Sequence, residues 1–192
     1  NTGMQAFSKA ISNGAMKQLD HLEMGKNNIG EIGMGAFSTA LAGGAIPQLI
    51  NLGLQTNQIN DTCIVALSKA CISGALSQIQ KLRLHNNAIG DEGMTALSSA
   101  FAAGAMAHIT TLNLASNKIG NDGAIAFINA CRCGAMTQLQ TLKLHNNPIG
   151  DIGIQAFAQA ITTTQTTTHV MASLCILIVT NGALGTKHPA LL

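Results

Sequence analysis

A single repeat period governs this chain from its first residues to about residue 161. Leu22, Leu52, Leu82, Leu112 and Leu142 are each 30 apart, and so are Asn27, Asn57, Asn87, Asn117 and Asn147. Ile29, Ile59, Ile89, Ile119 and Ile149 keep the register, and Ala6, Ala36, Ala66, Ala96, Ala126 and Ala156 carry it back to the start. No insertion or deletion interrupts it. Fixed periods of roughly 20–50 residues belong to stacked arrays, in which a lone unit cannot bury its apolar face and neighbours supply the rest of the core. The period therefore settles the architecture before any propensity argument is needed.

Each unit has two halves with different periods. In the stretch Thr141-Leu142-Lys143-Leu144-His145, apolar and polar residues alternate, the signature of a half-buried strand. The Asn that follows recurs in every unit. Its side-chain amide can satisfy backbone groups in the adjoining tight turn, and stacked units can repeat that bond as a ladder. Pro148-Ile149-Gly150-Asp151 then reads as a turn ending at a helix start. In the helical half of the second unit, Met34, Phe37 and Leu41 fall at i, i+3 and i+7, with Ala36 and Ala40 expected on the same face. Gly14, Gly44, Gly74, Gly104 and Gly134 stand just past the helix end, where a left-handed residue is wanted.

The pattern Leu-x-x-Leu-x-Leu-x-x-Asn-x-Ile-Gly-Asp-x-Gly, carried by residues 79–93, resembles the leucine-rich repeat. The helical second half is similar to the ribonuclease-inhibitor subclass, also found in NOD-like receptors and Ran GTPase-activating proteins. The uniform unit is slightly long for that subclass, and its Asn is never replaced by Cys. The resemblance implies an α/β solenoid, a horseshoe of strand-turn-helix units with a parallel sheet on the concave face and helices on the convex face. Residues 1–161 are expected to form the array, an orphan helix (residues 4–13) followed by five full repeats. The missing strand before that helix points to a fragment of a longer protein.

Residues 162–192 depart from the rule. A Thr tract from Thr162 to Thr168 replaces the expected Gly-Ala stop, and an apolar run from Val170 to Val179 is too short to span a bilayer. Ile176 to Asn181 reads as a worn Leu-x-Leu-x-x-Asn displaced by four residues, which leaves two readings open: a degenerate capping strand or an unrelated hydrophobic tail.

Composition narrows the function. The 192 residues carry 10 Lys and Arg against 8 Asp and Glu, so a strongly basic nucleic-acid binder and an acidic solvating tail are both excluded. No run of about 18 apolar residues is present to form a membrane span. Five Cys without a framework spacing suggest reduced, packing thiols and an intracellular, cytoplasmic setting. The glycosylation-type triplet Asn60-Asp61-Thr62 points the other way on a three-residue match.

Chemistry is scarce. His85 and His145 are two units apart, roughly 10 Å at about 4.8 Å per strand, too far to share a zinc ion. Gly33-Met34-Gly35 lacks the third Gly of a dinucleotide loop. Ser8, Ser38, Ser68 and Ser98 are expected on outer helix faces with no His or acid beside them. No catalytic residue, metal site or cofactor is expected.

What varies is the set flanking the strand leucines. It runs from His21, Glu23 and Gly25, through Asn51, Gly53 and Gln55, to Lys81, Arg83 and His85. Thr111, Asn113 and Ala115 follow, and Thr141, Lys143 and His145 close the series. Five of the eight acids (Glu31, Asp61, Asp91, Asp122, Asp151) are expected to cap helix starts, which leaves a positive stripe on the third and fifth strands. The reading is a non-enzymatic module whose Lys81, Arg83, His85, Lys143 and His145 meet an acidic patch on a protein partner. Two alternatives stand beside it: GTPase activation of the Ran type, implied by the subclass resemblance alone, and a polyanion- or nucleic-acid-binding stripe.

Overall fold

A computed structural model of the chain describes residues 1–162 and 176–179. Helix and strand alternate throughout: α1 (Thr2–Ser12), β1 (His21–Glu23), α2 (Glu31–Ala42), β2 (Asn51–Gly53), α3 (Asp61–Ile72) and β3 (Lys81–Arg83), then α4 (Asp91–Ala102), β4 (Thr111–Asn113), α5 (Asn121–Arg132), β5 (Thr141–Lys143), α6 (Asp151–Thr162) and β6 (Ile176–Ile178). The strands form one parallel sheet in sequence order. Register follows the period, with Leu22 beside Leu52, Leu52 beside Leu82, Leu82 beside Leu112 and Leu112 beside Leu142. Strands stack about 4.8 Å apart and helices about 8–10 Å apart, so a sheet backed by helices must curve with the helices outside. This is the horseshoe.

The core lies between the two layers. Leu52, Leu54, Leu82, Leu84, Leu112, Leu114, Leu142 and Leu144 are fully buried, as are Ile59, Ile89 and Ile119 from the turns and Met34, Phe37, Met94 and Phe127 from the helices. Ala36 is only half-buried while Ala40 is buried, so the helix face toward the sheet is narrower than the alternation of alanines suggests. The serine series also departs from expectation. Ser8, Ser38, Ser68 and Ser98 are buried rather than on the outer helix face. The Ser8 and Ser98 hydroxyls donate back to the carbonyls of Met4 and Met94 at 2.7 Å, which makes a small hydroxyl tolerable in a crowded place.

The asparagine ladder is continuous. Asn117 Nδ2 donates to the carbonyls of Leu84, Leu114 and Ala115, and its Oδ1 accepts from the Ile89 N–H. Asn87 and Asn147 repeat the arrangement one unit before and after. Each such amide ties its own turn to the preceding unit, and at 3–8% exposure for Asn147 and Asn117 it does so out of water. The residue before it adopts a left-handed backbone in every unit, at Lys26, Thr56, Asn86, Ser116 and Asn146. Past each of the first five helices, Gly14, Gly44, Gly74, Gly104 and Gly134 take φ between +74° and +97°. The N–H of Gly44 bonds to the Leu41 carbonyl and that of Ala45 to the Ala40 carbonyl, the paired bonds of a Schellman stop.

Helix starts are capped differently from the sequence expectation. Asp61 and Asp91 do not cap their own helices. Asp61 Oδ1 accepts from the N–H groups of Gly90 and Gly93, at the start of α4 (2.6 and 3.0 Å), and Asp91 Oδ1 does the same for Gly120 and Gly123 at the start of α5. Asn1 and Asn121 serve α2 and α6 in the same way. The physical reason is stacking: the first helical residue of one unit lies directly over the free N–H groups of the next. The exception is α3, which follows Glu31. There Asn60 caps its own helix through the Cys63 N–H, and Glu31 accepts from the Asn60 amide instead. Glutamate is one methylene longer, and the next unit has Asn60 and Cys63 where α2, α4, α5 and α6 have Gly at both positions.

β6 pairs with β5, with Leu177 beside Leu142. The sequence reading set Ile176 in that place, so the register is one residue off. Parity explains the error: a shift of one residue exchanges the two faces of a strand, and Ile176-Leu177-Ile178-Val179 is apolar at every position. Val179, one residue past the strand, is partly buried against the core. Asn181 and the Thr tract from Thr163 onward lie outside the described residues.

Candidate partner-binding face

Two residues along a strand point to the same side of a sheet, so each β-strand offers the concave face a short column of side chains. Parallel register then lines these up into rows across the sheet. One row reads Glu23, Gly53, Arg83, Asn113, Lys143. Two residues further on, the strand-end turns supply Gly25, Gln55, His85, Ala115 and His145. A third row holds His21, Asn51, Lys81, Thr111 and Thr141.

The sequence-predicted residues sit on this surface in unequal states. Lys81 is exposed, whereas Arg83, His85, Lys143 and His145 are half-buried. Arg83 is not a free cation: its guanidinium pairs with the carboxylate of Glu23, two strands away. Gly53 lies between them in register, and a Cβ there would run into that carboxylate. A glycine inside a strand normally weakens it; here it opens the floor for an ion pair that spans β1 to β3. Gln55 Nε2 also reaches Glu23, at 3.4 Å. The positive stripe expected on the third strand is thus partly neutralised, and among the described residues unpaired charge on the face concentrates at Lys81 and Lys143.

His85 is the electrostatically stressed member. Burial, then the charges of Arg83, Lys143 and His145, hold its imidazole below the ordinary histidine range. The Nδ1 atoms of His85 and His145, the Nε of Arg83, the Oδ1 of Asn51 and the Oε1 of Gln55 are sheltered and have no hydrogen-bond partner among the described residues. Asn51 is only 8% exposed, between His21 and Lys81 in register. Sequence reasoning placed Asn51 and Gln55 on the face without singling them out, because an uncharged amide gives no signal until its partners are known.

The remaining candidates resolve into structure. Asn60 is engaged at both ends of its amide, as a helix cap and as donor to Glu31, so the glycosylation-type triplet is occupied by a capping job. Cys63, Cys71 and Cys131 are buried free thiols, and burial pushes Cys71 and Cys131 up to about 12. Cys133 is also free but exposed, at the C-cap of α5, so it is not the packing thiol the sequence suggested. Among the described residues no cluster of three or more His, Cys, Asp or Glu could hold a metal ion, and no helix is long and apolar enough to cross a membrane.

Residues 78–98, 105–127 and 135–158 match the family model of the leucine-rich repeat, each window running from one strand into the next helix. This is a leucine-rich repeat protein. Its likeness to solved structures extends over most of the array. Leiomodin-1 actin-binding site 2 superposes with a TM-score of 0.58 at 13% identity, covering 81% of this chain and 85% of its own. An internalin of Listeria monocytogenes covers 78% of this leucine-rich repeat chain and 48% of its own, at 21% identity and a TM-score of 0.40. No curated protein matches the chain at a significant level. At these identities the likeness concerns the fold.

Proposed function

We propose that this leucine-rich repeat protein is a non-enzymatic interaction module that binds a protein partner across its concave face, with Lys81, Arg83, His85, Lys143 and His145 as the contacting residues. The observation that carries the reading is the contrast between fixed and varied positions. Core leucines, ladder asparagines and stop glycines repeat from unit to unit, while most positions of the rows facing the concavity differ from one strand to the next. A rigid sheet holding varied side chains at fixed spacing is suited to recognition. Net positive charge at Lys81 and Lys143 favours an acidic partner patch, acting mainly on association rate and orientation. Arg83 contributes by exchanging Glu23 for a partner carboxylate. An intracellular setting belongs to the same reading, in keeping with the free thiols.

The test compares proteins captured by the parent chain with those captured by Lys81→Glu/Lys143→Glu, after circular dichroism shows equal folding. Lys9→Glu/Lys69→Glu, on exposed positions of α1 and α3, is the convex-face control. Partners lost by the concave variant and kept by the control are expected. Equal capture by all three overturns the assignment to this face.

A further inference from the structure

The two rows that cross β3, β4 and β5 contain an arrangement the general reading does not use. Arg83 and His85 on the β3 side and Lys143 and His145 on the β5 side are the corners of a frame. At about 4.8 Å per strand and about 3.3 Å per residue it measures roughly 10 Å by 7 Å between Cα positions. Between the corners lie the two β4 residues, Asn113 and Ala115. Ala115 is small and only 3% exposed. The Ala115 N–H donates to Asn113 Oδ1 at 3.2 Å, which occupies the acceptor of that amide and leaves its Nδ2 donor as the free end. The frame therefore presents a guanidinium, an ammonium, two imidazoles and an amide NH2. None of the concave residues of β3, β4 or β5 is acidic, and among the described residues the only carboxylate that reaches the frame is that of Glu23, from β1.

We infer that this frame is a binding site for a phosphoryl group, presented by a phosphorylated serine or threonine of the partner. The inference rests on the concave-face reading and adds the chemistry of what is recognised there. Two properties distinguish a phosphoryl dianion from a carboxylate as the occupant. It carries three acceptor oxygens in a tetrahedral fan, which suits donors arriving from three strands rather than from one edge. Its second charge matches a site that holds Lys143 and, once turned from Glu23, Arg83. Arg83 can turn from Glu23 to either kind of oxygen pair without leaving the frame, since the guanidinium is a planar fork.

The site also carries its own pH signature. His85 is surrounded by Arg83 on its own strand and by Lys143 and His145 from β5, while β2 contributes neutral Gln55 beside it and β4 no titratable group. A bound dianion reverses the sign of that environment and raises the affinity of both imidazoles for protons. The His85 imidazole, held below the ordinary histidine range, loses its charge as the pH rises, and below about pH 6 the phosphoryl group loses one of its own. Because one group must keep its proton and the other must lose one, binding passes through a maximum and falls on either side. A carboxylate, which keeps its charge down to about pH 4–5, would instead bind more tightly throughout the descent from pH 7 to 5.

The test is an NMR titration of the imidazole signals in the full chain at constant ionic strength, with N-acetyl-phosphoserine amide as probe and N-acetyl-aspartate amide as its carboxylate counterpart. The expected result is that the phosphoserine probe perturbs the His85 and His145 imidazole signals, raises the His85 pKa by about half a unit or more, and leaves the His21 and His108 signals in place. Affinity should drop about tenfold in His85→Gln/His145→Gln and severalfold in Asn113→Ala, which keeps every charge. Equal shifts with the aspartate probe overturn the phosphoryl assignment, as do equal shifts at all histidines or none. If the probe fails while partner capture still responds to Lys81→Glu alone, the phosphoryl site is refuted and the concave-face reading stands. Loss of both removes the two together.

Discussion

At the scale of single residues, the side chain at the first helical position does its work one unit away. Asp91 holds two N–H groups of α5, and the short side chain is what lets it reach them. Asp91→Asn is expected to be near neutral, because Asn121 makes the same pair of bonds to α6. Asp91→Glu should cost about 1 kcal/mol, the usual worth of a lost cap. Adding Gly120→Asn should recover most of it by letting α5 cap itself, as α3 does through Asn60. Urea unfolding of the two single variants and the double variant reads this directly, and additive losses would contradict the compensation. The sequence showed that an acid recurs here and tied it to helix capping, but it gave the role in the fifth unit to Asp122 where Asn121 fills it. It did not show which helix, because capping partners within a unit and between units differ by one whole period and so fall on the same repeat positions.

At the scale of the element, the glycines of α2 and α4 separate two roles that look alike in the sequence. Gly35 sits inside α2 with open space where a Cβ would go. Gly93 lies in the first turn of α4, where a Cβ would come within 2.5 Å of Asp61 Oδ1 and 3.2 Å of its Cα. Gly35→Ala should therefore stabilise the protein by about 0.5–1 kcal/mol, the helix-propensity gain of alanine. Gly93→Ala should destabilise it by about 1–3 kcal/mol, since it displaces a cap and overpacks the unit boundary. Thermal unfolding distinguishes the two, and equal behaviour would refute the close-approach argument. Strand and helix existence and the leucine register were legible from the period alone, because those positions serve the repeat. The β6 register was not legible, since an uninterrupted apolar run carries no parity. The Glu23–Arg83 pair was equally hidden: its partners belong to units two periods apart, and only the sheet brings them over Gly53.

At the scale of the whole molecule, stability depends on neighbours and on proton balance. A repeat array gains stability from unit interfaces as much as from the units themselves, and here the ladder, the caps and the sheet all cross the same interfaces. His85 adds a pH term. Its folded pKa lies below the unfolded value of about 6.5, through burial and the Arg83, Lys143 and His145 charges, so the unfolded chain binds protons first as pH falls. This contribution to stability is present in full above about pH 7 and is lost as the pH drops through the histidine range. The midpoint of urea unfolding should thus fall between pH 7.5 and 5.5, and His85→Gln should flatten part of that fall. An unchanged slope in the variant would show that other groups control the acid limb. Occupation of the frame by an anion would act in the opposite direction.

The exception at α3 has a consequence for how such an array can be rearranged. A unit that opens with Asp or Asn can be followed by any unit that offers Gly at both receiving positions, so most junctions here are interchangeable. The unit opening with Glu31 is followed by Asn60 and Cys63, which replace both glycines and supply the cap from within. Moving either unit alone would set a long acid against a glycine pair, or a short acid against an occupied cap. Four junctions behave as a common thread, and this one behaves as a keyed joint. Swaps, duplications or deletions of whole units are accordingly tolerated only if these two travel together.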